Sequence, residues 1–167
     1  MRNSVSTTIA AGVLLALAGA AQAATKTPSF QVTATVSKNC IISAPNLNLG
    51  TFDGTNDLAT SSTISVNCTS LTPYSVDLDK GSSGSYAMRT LVNGADRLNY
   101  NLYSNNTYTT VWGDTSGGTG RANGTGAGMA AAQTQTHTVY GRLRAVDNTG
   151  AVGAGSFSDT IIATITY

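Results

Sequence analysis

The chain has 167 residues and carries little charge: 10% of its residues are charged, nine basic against eight acidic. No basic patch with interleaved aromatic residues occurs, which argues against a nucleic-acid partner. Two cysteines and one histidine are too few for a structural zinc site. The composition therefore predicts neither a metal site nor a nucleic-acid-binding protein, and we expect no cofactor.

The first residues have the pattern of a secretory signal peptide. Arg2 gives a positive start, residues 9–20 form a short apolar run, and residues 21–23 read Ala-Gln-Ala, an A-x-A cleavage pattern. We predict a signal peptide over residues 1–23 and a mature chain from Ala24. The apolar run is too short to span a membrane, and no other segment is long and apolar enough, so we expect a protein that is not membrane-embedded. The remaining length suits one domain.

The mature chain opens with an extended segment over residues 29–42. Phe30, Val32, Ala34 and Val36 occupy one face and polar residues the other, which is the period-two pattern of a half-buried β-strand. A terminal strand with an apolar face invites pairing with another chain. From its residues alone, this segment is equally well interpreted as the domain's own first strand, folded back onto the same chain.

Cys40 and Cys68 are the two cysteines of the sequence. A signal peptide directs them to an oxidising compartment, where an even cysteine count favours a disulfide. We therefore predict a Cys40–Cys68 disulfide that closes a loop of 68 − 40 = 28 residues.

The rest of the chain alternates short period-two runs with turns, and no long helix is predicted. The runs are LNLGTFD (47–53), TISVNCT (63–69), YSVDLDKG (74–81), RLNYNLYS (97–104) paired as a hairpin with YTTVWG (108–113), THTVYGRLRA (136–145) and SFSDTIIATITY (156–167). We interpret the glycine-rich residues 113–135 as a long loop, with a possible helical turn at its end. Many short strands separated by turns predict an all-β sandwich.

The last strand places Ile161, Ala163, Ile165 and Tyr167 on one face. No further strand follows in the sequence to cover its far side. A chain with an unattached first strand and an uncovered last strand suits donor-strand complementation, in which an extended peptide from another chain completes a sheet.

At this point the sequence resembles the spore coat protein U domain family, which includes major subunits of archaic chaperone–usher pili. The resemblance covers essentially the whole mature chain. The residues that carry it are Cys40, LNLGTFD, ISVNCT with the second cysteine, TPYSVDLDKG, RLNYNLYSN…TTVWGD (97–114), HTVYGRL (137–143) and the ending FSDTIIATITY.

The resemblance implies an incomplete immunoglobulin-like sandwich over residues 37–167, preceded by a donor segment over residues 24–36. In such proteins a periplasmic chaperone lends a strand to the empty groove, and an outer-membrane usher exchanges it for the N-terminal segment of the next identical or homologous subunit. The donor side chains here would be Phe30, Val32, Ala34 and Val36. The acceptor and chaperone contacts would include Ile161, Ala163, Ile165 and Tyr167.

By this resemblance the protein is a structural subunit of a surface pilus that serves adhesion and biofilm formation, secreted through the periplasm. Two other functions stay open: a spore coat protein, and a self-contained adhesin that binds through loop 113–135. Catalysis is not expected. His137 lies in an alternating strand, no G-x-S-x-G turn is present, and no pair of carboxylates stands out.

Overall fold

A computed structural model describes residues 22–167, so most of the predicted signal peptide, residues 1–21, lies outside the described residues. The regular structure of the described part is eight strands and four short 3₁₀ turns. The strands are β1 Cys40–Ser43, β2 Leu58–Cys68, β3 Pro73–Leu78, β4 Arg89–Asn93, β5 Asp96–Tyr103, β6 Ala122–Thr125, β7 Gln135–Leu143 and β8 Ala163–Thr166.

The strands form two antiparallel sheets, one with the order β1-β2-β7-β5-β4 and one with the order β6-β3-β8. Period-two alternation explains which residues face the space between the sheets. The buried apolar set includes Ile64 and Val66 of β2, Val76 and Leu78 of β3, Leu98 and Leu102 of β5, and Val139 and Leu143 of β7. Two sheets that bury their apolar faces against each other make an immunoglobulin-like β-sandwich, as the sequence predicts.

The β4–β5 hairpin was missed in the sequence, although it carries a recognisable turn. Asn93 and Asp96 are register partners, so the loop consists of Gly94 and Ala95 alone. Gly94 has a φ of +58°, which the first position of a type II′ hairpin turn requires and which glycine adopts at little cost. The segment 108–113, predicted as the partner of residues 97–104, forms no strand of its own but does pair with the end of β5. An antiparallel bridge joins Tyr103 to Val111, and the Trp112 N–H donates to the Leu102 carbonyl at 2.9 Å.

Residues 113–135 are not one continuous loop, contrary to the prediction. They contain β6, which pairs with β3 from Pro73↔Thr125 to Val76↔Ala122. Gly124 lies opposite Tyr74, and a Cβ at this position would collide with the Tyr74 ring. Glycine is therefore required at position 124. The sequence of β6, Ala-Asn-Gly-Thr, shows no apolar alternation, which is why the strand was not predicted.

The predicted first, second and last strands are shorter than expected or absent. Residues 22–39 form no helix or strand, and β1 begins only at Cys40. Residues 47–53 form no strand either, yet Leu47, Leu49 and Phe52 pack against the core. At the end of the chain, β8 covers four residues.

The predicted disulfide is present, and it joins Cys40 at the start of β1 to Cys68 at the end of β2. The two residues are also register partners across the sheet. The bridge therefore ties the edge strand β1, which is only four residues long, to the longest strand of the sandwich.

We expect Cys40→Ser to lower the free energy of unfolding by about 3 kcal/mol, because the unfolded chain loses a closed loop of 28 residues. Thermal unfolding of purified protein, followed by circular dichroism, measures this. Wild-type protein in a reductant should show the same loss, whereas the variant should not respond to the reductant. Equal melting temperatures for wild type and variant would contradict the expected role of the bridge.

Candidate functional site

An open groove of about 1300 Å³ runs between the two sheets of the sandwich. Its floor is made of core side chains from both sheets, among them Ile64, Leu78, Leu98, Leu102, Val139 and Leu143. Its rims are residues 44–54, which follow β1, and residues 148–163, which lead into β8. The apolar interior is thus reachable from outside along one side of the sandwich.

The first rim is irregular backbone that side chains hold in place. The Ser62 hydroxyl donates to the Pro45 and Asn46 carbonyls at 3.3 and 3.4 Å. Leu47 and Leu49 lie so close over Gly141 of β7 that a Cβ there would sit 2.8 Å from a Leu47 methyl carbon. A glycine on β7 therefore lets this rim approach the sheet without forming a strand ladder.

The second rim contains β8, which lies at the edge of the three-stranded sheet. Its only strand partner in the described part of the chain is β3, in a register from Ser75↔Thr166 to Leu78↔Ala163. Its far edge leaves backbone N–H and C=O groups available for another strand. Four-residue β8 alone does not close the space between the sheets.

The acceptor residues predicted from the sequence lie in and beside this rim. Ile161 and Ala163 line the groove. Ile165 packs against the core, and Tyr167 is 50% exposed. The alternate residues Thr164 and Thr166 are exposed, so the apolar face of the final segment points inward.

A polar cluster closes the groove at the end remote from the disulfide. The Asp159 carboxylate accepts from the Ser82 backbone N–H and hydroxyl at 2.8 and 2.6 Å, and from the Tyr100 hydroxyl at 2.7 Å. Burial raises the pKa of Tyr100, and its hydrogen bond with Asp159 adds to that shift. Within the described residues, Asp159 has no basic group within 4 Å.

Across the β4–β5 ladder from Tyr100, which lines the groove, lies a fully buried arginine that sequence analysis did not single out. Arg89 of β4 donates to the Asp79 and Trp112 carbonyls at 2.7 Å each, and to the Asn101 side-chain oxygen at 2.7 Å. Its guanidinium lies 5.2 Å from the Tyr86 ring centroid. Burial lowers the pKa of Arg89. Arg89 is also the register partner of Tyr100, so it supports the strand that forms the groove floor.

The predicted donor side chains are exposed. Phe30, Val32 and Val36 have exposed fractions of 87%, 82% and 85%, and Ala34 is exposed as well. Solvent exposure of three large apolar residues in one short segment is unfavourable for an isolated molecule. These four residues belong to no strand of the described part of the chain.

His137, which sequence analysis considered as a catalytic base, contacts Tyr74. His137 is half-buried, its Nε2 lies 2.9 Å from the Tyr74 hydroxyl, and burial lowers its pKa. Within residues 22–167, no three His, Cys, Asp or Glu side chains cluster as metal ligands would. None of the helical segments described for the chain has the length and apolar character needed to span a bilayer.

Two comparisons with known proteins bear on this architecture. Over its whole length the chain is 32% identical to "Protein U" of Myxococcus xanthus and spans 98% of that protein. It also matches a chain in the crystal structure of the CsuC–CsuE chaperone–tip adhesion subunit pre-assembly complex from the archaic chaperone–usher Csu pili of Acinetobacter baumannii. That match has a TM-score of 0.56 and 25% identity over 80% of this chain, and it spans 40% of the Acinetobacter chain.

The third comparison concerns families. The Spore Coat Protein U domain matches residues 26–164, which include strands β1 to β7 and the first half of β8, the disulfide and both rims of the groove. The match begins before Phe30, so it also takes in the exposed apolar segment. The chain belongs to the Spore Coat Protein U domain family.

Proposed function

We propose that this protein is a structural subunit of a chaperone–usher surface fibre and polymerises by donor-strand complementation. One observation carries the proposal: an apolar groove lies open beside the far edge of β8, in a chain that bears exposed apolar side chains at every second position from Phe30 to Val36. Both the groove and the segment expose apolar side chains, and each could bury those of the other. The donor would supply β8 with a ladder and fill the groove with Phe30, Val32, Ala34 and Val36.

The proposed partners are other copies or homologues of this subunit, a periplasmic chaperone and an outer-membrane usher. The Acinetobacter match supports the first two, since that structure is a complex of a chaperone with a tip adhesion subunit. A chaperone would occupy the groove before assembly, in contact with Ile161, Ala163, Ile165 and Tyr167. The fibre would lie at the cell surface and serve adhesion and biofilm formation.

A spore coat structural protein is the second candidate. The 32% identity with Protein U of Myxococcus xanthus and the family's name favour it. Both functions use the same groove, so detection in the producing organism separates them. Antibody labelling of fibres on growing cells supports the pilus subunit, whereas labelling confined to spores supports the coat protein.

The proposal is tested by light scattering on the refolded mature chain and on a form without residues 24–36, both without chaperone. We expect the mature chain to form heat-resistant polymers. The shortened form should stay small and melt at a lower temperature until a peptide of residues 29–36 is added. If both forms are equally stable monomers, residues 24–36 are not a donor.

A further inference from the structure

We propose that Lys38 of one subunit pairs with Asp159 of the next, in the register that sets residues 30–36 of the donor segment against residues 161–167 of the acceptor. This inference rests on the proposed function and adds to it a register and a specificity contact.

The spacing of the apolar residues supports the antiparallel register. Donor positions 30, 32, 34 and 36 are matched in number and spacing by acceptor positions 167, 165, 163 and 161. Directly opposed residues in antiparallel strands point to the same face. Val36 would oppose Ile161, Val32 would oppose Ile165 and Phe30 would oppose Tyr167. The small residues Ala34 and Ala163 would oppose each other.

The same register also places two opposite charges next to each other. One step beyond Val36 and Ile161, the same register sets Lys38 opposite Asp159. Asp159 is a half-buried carboxylate at the groove end, and the described residues hold no basic group within 4 Å of it. The groove lining contains two charged side chains, Asp53 and Asp159, both acidic. Asp159 already accepts hydrogen bonds from Ser82 and Tyr100 of its own subunit, and a lysine from another subunit would add a cation beside this carboxylate.

The parallel orientation gives a poorer match. It would align Phe30 with Ile161 and would therefore set Pro28 against Asp159 and Lys26 against Phe157. Neither pairing brings a cation to Asp159. Proline would also remove a backbone N–H that a strand ladder on this side could use.

The position of Lys38 in its own subunit agrees with a contact at the junction. Asn39, the next residue, is fixed to the sandwich because its backbone N–H donates to the Thr69 hydroxyl at 3.2 Å and its carbonyl accepts from the Thr69 N–H at 2.9 Å. Lys38 is therefore the first residue outside the anchored fold. Its side chain would meet the neighbouring subunit where the two bodies touch.

Head-to-tail stacking follows from the antiparallel orientation. Asn39 lies at the disulfide end of the sandwich, whereas Asp159 precedes β8 at the opposite end, where Ala163 pairs with Leu78. The disulfide end of one subunit would face the Asp159 end of the next, a heterologous contact that repeats into an open fibre. A parallel donor would bring disulfide ends together and crowd successive subunits.

Engineered disulfides between subunits test the register. The full-length mature chain with Ala34→Cys and Ala163→Cys is polymerised and oxidised, with Val32→Cys and Ala163→Cys as the matched pair for the parallel register. We expect a ladder of covalent oligomers on a non-reducing gel from the first pair and none from the second. The reverse result, or no ladder from either pair, overturns the register. A cross-linked monomer from the first pair overturns it in favour of insertion into the same chain.

Charge reversal tests the specificity contact. We expect Lys38→Glu to slow polymerisation at least fivefold at low salt, and we expect salt to reduce that difference because screening weakens charge repulsion. Arg97→Glu makes the same charge change at an exposed residue outside the donor segment and the groove, and it should alter the rate less than twofold. Equal polymerisation rates for the two variants would show that Asp159 is not the partner of Lys38. Failure of the wild-type chain to polymerise would instead count against the proposed function.

Discussion

Val32→Asp is expected to prevent polymerisation while leaving the subunit folded. Val32 is 82% exposed in the structure, so its replacement removes no contact from the sandwich. In a fibre the same side chain would be buried in an apolar groove. The substitution loses about 1.5–3 kcal/mol of apolar burial and adds several kcal/mol for a buried carboxylate without a partner. A loss of about 4 kcal/mol already weakens donor binding roughly a thousandfold.

Thr33→Asp is the matched control, because it adds the same charge one position along, on the face that would point away from the groove. We expect Thr33→Asp to form polymers like the wild type in light scattering and electron microscopy, and Val32→Asp to remain a monomer or a chaperone-bound subunit. Equal polymer yields from the two variants would contradict the donor assignment, since alternation of the two faces is its basis.

Mixing two defective variants gives a sharper result. Val32→Asp would keep a working groove, and Ala163→Asp would keep a working donor segment while blocking its own groove. Neither variant should polymerise alone, yet together they should form one-to-one dimers that cannot grow. Dimers in a mixture, measured by mass photometry or native mass spectrometry, would separate the donor role from the acceptor role. Longer oligomers would show that the Ala163 rim is not the acceptor.

The sequence predicted the strands whose two faces differ in polarity. β2, β5 and β7 each alternate apolar and polar residues because one face meets the core and the other meets solvent. That signal is local, so a single sequence carries it. The same alternation placed Ile161 and Ala163 on one face, and both line the groove.

Other elements are set by distant contacts, which explains why they were missed. Strand β6 exists because β3 lies beside it, and its small residues give no apolar period. Trp112 stood at the edge of the predicted loop, but it is buried and its indole N–H donates to the Val76 carbonyl at 2.9 Å. Residues 47–53, by contrast, were predicted as a strand from their alternation, and they form none. They pack against the core without pairing, because a close approach over Gly141 takes the place of a ladder.

The polar parts of the groove were the hardest to predict. Asp159, Tyr100 and Ser82 are far apart in the chain and meet only in the fold. Arg89 looked like an ordinary charged residue, and its burial depends on carbonyl groups contributed by Asp79 and Trp112. Clusters of this kind are visible only when the three-dimensional arrangement is known.

Arg89→Met is expected to destabilise the subunit by about 2–6 kcal/mol, because it leaves two buried carbonyls without a donor at about 1–3 kcal/mol each. Methionine fills much of the volume but donates no hydrogen bonds. The Asp79 and Trp112 carbonyls would lose their charged donor inside the protein, whereas the Asn101 side-chain oxygen would keep the Leu102 N–H. A loss of this size is a large fraction of the stability of a typical domain.

Arg97→Met is the control, because Arg97 is exposed and donates only to the Gly94 and Asp96 carbonyls of its own hairpin. We expect it to change stability by less than about 0.5 kcal/mol. Urea unfolding of the two variants, each saturated with a peptide of residues 29–36, compares them with the groove filled.

Titration of the same two variants with the donor peptide tests whether Arg89 also supports the groove. Arg89 pairs with Tyr100 across the β4–β5 ladder, and Tyr100 forms part of the groove and holds Asp159. If the arginine fixes the groove floor, Arg89→Met should bind the donor peptide more weakly than Arg97→Met under conditions where both are folded. Equal peptide affinity together with a large loss of stability would limit Arg89 to support of the sandwich. Equal stability of the two variants would mean that the buried carbonyls find other donors. The hydrogen bonds of Arg89 would then not be what stabilises β4.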